Sequence, residues 1–138
     1  MSHFMTQYLN RPWARGTRGP NTFDCWGLIH WVYKTHLGVD LPAYVIPSHI
    51  PGPTHAGKIH MEEQARGVWN PIDKPVDGCL VTLSCNTAVH HVGIYFEHSG
   101  GLVYHANSGA TVHAMKFHRL LASGFTNVIC YKYNGNDN

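Results

Sequence analysis

The sequence predicts an α+β domain, in which a helix from the first half packs on an antiparallel sheet of about five strands from the second. Two patterns carry that prediction. After Cys25, apolar or aromatic residues recur at Leu28, Ile29, Val32, Tyr33 and Leu37, one face of a helix of period 3.6. Beyond Gly78, short runs rich in Val, Ile, Tyr and Phe alternate with Gly and Asn, the pattern of a strand meander. The 138 residues fit a single domain, 1–138, with enough length for a real core.

Taken in order, residues 1–20 are irregular, because Pro12, Gly16, Gly19 and Pro20 break any period. Tyr8 and Trp13 are large for an exposed arm and are expected to lie beside the Cys25 helix. Asn21 or Thr22 is expected to cap that helix, and Gly38 follows its end. Leu41-Pro42 opens a long connection containing Pro47, Pro51 and Pro53, with His49, His55 and His60 along it or just beyond. The stretch from Pro47 to His60 matches no motif, and a loop of this length often shapes a binding site. Thr54 is expected to cap a weaker helix that runs to about Arg66 and stops at Gly67. Trp69 and Pro71 then lead back towards the core. The expected strands are Cys79–Ser84, His90–Glu97, Leu102–Ala106, Thr111–Met115 and Asn127–Tyr133, with a turn of helix over Phe117–Leu121.

Composition narrows the function. Hydrophobic residues make up 43% and charged residues 13%, so the chain is a folded domain. A formal charge of +2 with no dense Lys/Arg cluster gives no case for nucleic acid. No segment is long and apolar enough to insert in a membrane, and Met1–Asn10 has no signal-peptide pattern. The expected location is the cytoplasm in which the chain is made, unless lysis or a particle carries it out. Cys25, Cys79, Cys85 and Cys130 form no CxxC pair, so Cys79 and Cys85 read as core filler rather than a disulfide. His55 and His60, like His113 and His118, are five apart, one more than two metal ligands on one helix face require, and no metal is expected.

Chemistry is expected at Cys25. A thiol on the first turn of a helix faces free N–H groups and the positive end of the helix dipole, which lowers its pKa towards the nucleophilic thiolate. A general base comes from the hairpin formed by His90–Phe96 and Leu102–Ala106. If Phe96 pairs with Leu102, Gly93 faces His105, and His91 and His105 become diagonal neighbours on one face. Gly93 leaves the space between them open. With the Cys25 helix on that same face, His91 is placed to deprotonate Cys25, and His105 to fix the tautomer of His91. The N–H of Cys25, with help from Tyr8, is the expected oxyanion donor. His90 projects from the opposite face.

Phe23-Asp24-Cys25-Trp26-Gly27-Leu28, then His91-Val92-Gly93-Ile94-Tyr95, then Tyr104-His105-Ala106, in that order, resemble the NlpC family of papain-like cysteine peptidases. Trp26 after the cysteine and Leu41-Pro42 after the helix resemble the subgroup of phage tail-associated cell-wall peptidases. The resemblance runs from about Tyr8 to Tyr133 and implies a papain-like core. It implies Cys25 as nucleophile, His91 as base and His105 as third polar residue. Tyr8, Asp24 and Trp26 are the implied oxyanion or substrate contacts, and no metal or cofactor is needed. Gly78-Cys79 stands where the family usually has Gly-Asp. The implied reaction is hydrolysis, through a cysteine thioester, of an amide in peptidoglycan stem peptides such as γ-D-glutamyl-diaminopimelate. The implied setting is a phage tail tip, with tail hub or tip proteins as partners and the periplasmic cell wall as target. Alternatives are a non-catalytic tail-tip docking subunit, or an amidase or acyltransferase on the same fold.

Overall fold

Helix α1, Cys25–Val32, begins where Asp24 supplies a cap. Asp24 is extended, and its Oδ1 accepts the Gly27 N–H at 2.6 Å while Oδ2 accepts that of Gly16 at 2.9 Å. The cap is therefore Asp24 and not Asn21 or Thr22, because only Asp24 directly precedes the first helical residue. Leu28, Ile29, Val32 and Tyr33 are buried as their spacing predicts, but Leu37 is 38% exposed. The cause is a π-helical turn over Tyr33–Leu37, which adds a residue to the turn and rotates Leu37 out of the stripe. Gly38, left-handed at φ 73°, ends the helix.

The computed structural model describes residues 3–44, 52–85, 88–106, 110–125 and 127–135. Most of the connection opened by Leu41-Pro42 lies outside them, as do the side chains of His55, Cys85 and His90. Helix α2, Gly52–Ala65, starts before the expected cap at Thr54 and is followed by Gly67 at φ 70°. Its Glu63 is 1% exposed yet fully engaged, accepting from Arg66 Nη1 at 2.8 Å, Trp69 Nε1 at 3.0 Å and the Tyr44 hydroxyl. Bonds of this kind are what make a buried carboxylate tolerable. No described helix is long and apolar enough to cross a membrane.

Among the described residues the sheet has six strands where about five were expected: β1 (Trp69–Ile72), β2 (Leu80–Cys85), β3 (Ala88–Phe96), β4 (Leu102–Ala106), β5 (Val112–Lys116) and β6 (Asn127–Tyr133). Their spatial order is β1-β6-β2-β3-β4-β5, with every pairing antiparallel. The extra strand, β1, contains Pro71 and lies at the sheet edge, where a residue without an N–H costs no ladder bond. Two short 3-10 turns, Phe117–Arg119 and Leu121–Ser123, follow β5.

Alternation along the strands divides the core in two. Val92, Ile94 and Phe96 of β3, with Tyr104 and Ala106 of β4, pack against Leu28, Ile29 and Val32 of α1. Tyr95 and Val103 turn to the other face and pack with Cys79, Val81, Leu83, Leu120 and Cys130. Cys79 is core filler, as expected, and its thiol hydrogen-bonds that of Cys130. The arm closes the other edge: Asn10 N–H donates to Val112 O at 2.8 Å, and Val112 N–H to Arg11 O at 2.9 Å.

Candidate active site

The face rule has a direct consequence for Cys25. His91 and Gly93 share the face of Tyr95, and His105 shares that of Val103, so both histidines lie on the side of the sheet away from the body of α1. The expectation that the helix covers the histidine face is therefore corrected. The bulky residues Val92, Ile94 and Phe96 take the helix, and the helix tip meets β3 at the backbone of Val92, next to His91.

How it reaches them follows from the ladder. Strands β3 and β4 pair from Phe96↔Leu102 to Ile94↔Tyr104, and pairing stops there although both strands continue. The Tyr95 N–H donates to Cys79 O at 3.0 Å, on the β2 side, so by alternation the Val92 N–H points to the β4 side. There β4 no longer answers it. The Cys25 sulfur does, with the N–H groups of Trp26 and of Cys25 itself also directed at it. The nucleophile candidate thus sits where two strands part, beside the residue that follows His91.

On the other face, His91 Nε2 and His105 Nδ1 are 2.8 Å apart, with ring centroids at 4.8 Å and planes at 76°. Gly93 makes this possible. A Cβ there would stand 2.7 Å from Val103 Cγ1, 3.0 Å from Tyr104 O and 3.3 Å from His105 Cβ. In the β2–β3 register Leu83 faces His91 and Ser84 faces Val89, so His90 is the extra residue of a bulge.

The electrostatics depart from the expectation for a helix-terminal thiol. Burial first, and the Asp24 carboxylate second, push the Cys25 thiol up to about 12, outweighing the three backbone donors that favour the thiolate. Burial, helped by His113, pulls His91 down to about 4. Both groups are therefore neutral near pH 7, a thiol and an imidazole rather than a charged pair.

Three further residues expected at the site serve it differently. The Tyr8 hydroxyl accepts from Trp31 Nε1 at 2.9 Å and lies 2.7 Å from His36 Nε2. Burial keeps His36 neutral, so Nε2 can accept the one proton Tyr8 has to give. The Tyr8 hydroxyl is thus engaged by Trp31 and His36. It ties the arm to the far end of the helix, where His3 also stacks on His98 at 4.2 Å. Trp26 is buried, with its indole donating to Pro42 O at 2.9 Å and packed edge-on against Tyr44. It offers the sulfur a backbone N–H and no ring surface for substrate. Asp24 caps the helix and raises the thiol pKa, and both its oxygens accept backbone N–H groups.

Sequence reasoning missed His113. It faces His105 across the β4–β5 ladder, with ring centroids 4.1 Å apart and planes at 62°. The signal that would have found it is hairpin register rather than its spacing from His118. Among the described residues, no three His, Cys, Asp or Glu side chains are grouped to hold a metal ion.

The sequence matches the NlpC/P60 family over residues 10–132, almost the whole chain. The chain belongs to the NlpC/P60 family. Solved structures share the fold at low identity. The NlpC/p60 domain of the peptidoglycan hydrolase SagA aligns with a TM-score of 0.56 at 19% identity, covering 91% of this chain and 90% of that one. NlpC1 from Trichomonas vaginalis gives 0.65 at 20% identity, covering 94% of this chain and 41% of its own. NlpC2 from the same organism gives 0.64 at 21%, covering 95% and 44%. The NlpC/P60 chain described here thus spans less than half of either Trichomonas protein. A comparison with curated proteins finds no match. The fold is the papain-like α+β arrangement of this family, with its antiparallel sheet.

Proposed function

We propose that this NlpC/P60 domain is a cysteine peptidase that hydrolyses an amide in peptidoglycan stem peptides. The observation that carries the reading is the placement of the Cys25 sulfur at the N–H of Val92, the residue that follows a His91 whose Nε2 is 2.8 Å from His105 Nδ1. That bond occupies Nε2 and leaves Nδ1 as the nitrogen for the thiol. Because the resting pair is neutral, the proton moves as the sulfur attacks. Nδ1 of His91 takes the thiol proton while sulfur bonds to the carbonyl carbon, and the carbonyl oxygen becomes an oxyanion. The N–H of Cys25 at the helix tip is the donor assigned to that charge. Collapse breaks the C–N bond, the departing amine takes the proton from His91, and a thioester remains. Water then gives a proton to His91 and its oxygen to the acyl carbon. The sulfur leaves with the proton returned, and the product is a free acid.

The bond we propose is γ-D-glutamyl-diaminopimelate or its lysine counterpart. Trp26 and Leu41-Pro42 support the finer reading of a phage tail-tip enzyme that docks on tail hub proteins and opens the wall locally from a virion. Purified sacculi incubated with the protein are expected to release fragments carrying a new diaminopimelate or lysine amine, identified by mass spectrometry. Sacculi left intact, or cleaved only in the glycan, would overturn the reading.

The pH profile tests the base separately. A general base must be neutral to act, and His91 is depressed to about 4, so protonation removes activity only as pH falls through that region. The expected kcat/KM stays level from pH 7 to about 5 and halves near pH 4. A limb at the ordinary histidine value, near 6.5, would show that His91 does not set it.

A further inference from the structure

On the side of α1 away from the sheet, the arm and the helix form a groove of about 660 Å³ lined by Arg18, His30, Trp31, Lys34 and Asp40. It is separate from the Cys25 cleft. His30 and Lys34, four apart, fall on the helix face opposite Leu28, Ile29 and Val32, the stripe that Cys25 heads, and Trp31 flanks them. We propose that this groove is a second binding site, which takes a zwitterionic amino-acid end, its carboxylate at Arg18 and Lys34 and its ammonium at Asp40 and His30.

Charge decides the ligand. Among the described residues Arg18, Lys34 and Asp40 make no ion pair with one another or with any neighbour. All three nevertheless act on His30 through their charge, which places the four groups around one space. Two cations without partners are donors for a carboxylate. Asp40 disfavours a plain anion, because a phosphate or a dicarboxylate would bring negative charge to it with nothing to neutralise the pair. An ammonium on the same ligand removes that repulsion. His30 completes this end. Burial first, and Arg18 second, lower its pKa, and the ring gives an N–H to the Leu41 carbonyl. The neutral ring then keeps one lone pair and no second donor, so it accepts from an ammonium and has nothing to give a carboxylate. Trp31 supplies the apolar surface. Its Nε1 already donates to the Tyr8 hydroxyl at 2.9 Å, so the rest of the ring offers carbon, suited to methylene groups. The arm is held close to that ring, since a Cβ at Gly19 would stand 2.9 Å from Phe23 Cζ and 3.1 Å from Trp31 Cδ2. The groove is therefore formed before any ligand arrives, which limits the cost of ordering it.

The proposal rests on the peptidase reading only for the source of the ligand. Diaminopimelate bonded through one amino-acid end in a stem peptide keeps its other end as a zwitterion on a methylene chain. A weak site for that end tethers the domain to one stem while Cys25 works on a neighbour, because linked sites raise the effective concentration. Binding of free diaminopimelate is read from the Trp31 indole N–H signal of 15N-labelled protein, assigned by its loss in Trp31→Phe. The expected shift is saturable and about tenfold tighter than with pimelate or cadaverine, which keep the chain but carry only carboxylates or only ammonium groups. Asp40→Asn is expected to erase the preference over pimelate, and Lys34→Glu to lose diaminopimelate binding, with Tm unchanged in both. On sacculi Lys34→Glu should raise the half-saturating substrate level several-fold, and it should leave kcat on a soluble stem peptide unchanged. Pimelate or inorganic phosphate binding as tightly as diaminopimelate overturns the proposal by showing a plain anion patch. An unmoved Trp31 signal overturns it outright, and equal half-saturation of wild type and Lys34→Glu on sacculi overturns the tether. If wild type releases no stem-peptide fragments, the peptidase reading fails and the diaminopimelate titration still decides the site.

Discussion

Cys25→Ala is expected to remain folded and to lose stem-peptide hydrolysis by on the order of ten-thousandfold or more, the scale seen when a nucleophile is removed from a comparable triad. The chemistry depends on the sulfur and the fold does not. Cys25 is only partly buried and heads α1 rather than filling its centre, and the Asp24 cap that starts the helix acts through Gly27 and not through the thiol. Deleting Sγ removes an acceptor from the Val92 N–H, a loss of about 1 kcal/mol. Fragment release from sacculi and thermal melts of both proteins are the two measurements. A folded Cys25→Ala variant that still cleaves would eliminate the thioester route.

Gly27→Ala carries the largest expected effect on stability, with a sign opposite to the usual one. Alanine in place of glycine ordinarily favours a helix by about 1 kcal/mol. Here the added Cβ would lie 2.0 Å from the Thr17 carbonyl oxygen and 2.9 Å from Asp24 Oδ1. Thr17 O already accepts the Asp24 N–H at 3.0 Å, and Asp24 Oδ1 holds the Gly27 N–H at 2.6 Å. The methyl group therefore collides with backbone at the point where the arm and the helix cap meet, and neither can yield without breaking these bonds. Overpacking together with cap loss is expected to cost ~3 kcal/mol, read as a lower urea midpoint. A midpoint at or above that of the wild type would show that the arm is not locked against the helix. Because the same junction aims Cys25, hydrolysis should fall in parallel.

Local features were legible in the sequence. The 3.6-residue stripe located α1, alternation located five of the six strands, and the pairing of Phe96 with Leu102 was readable from the hairpin. Pro71 concealed the sixth strand, since proline weakens a strand prediction without forbidding an edge. The π-helical turn that exposes Leu37 has no local signature, because it forms where packing around Tyr33 and Gly38 favours it. Asp24, Tyr8 and Trp26 were found as residues, but the partners of their side chains were not legible. Each side chain is satisfied by a distant backbone or ring that spacing alone does not reveal.

By itself the sequence determined most of the elements, the order of its three motifs and, through them, the family. These depend on neighbours along the chain and on side-chain periods of 3.6 and 2. Only the tertiary structure decided which sheet face α1 covers, where β3 and β4 part to admit the Cys25 sulfur, and that His113 stands behind His105. It also decided that Cys25 rests as a thiol and His91 as a neutral ring. The reason is common to all of these. Which faces meet, and how much water a charge loses, depend on segments brought together from across the chain, and no local pattern encodes the solvent that packing excludes.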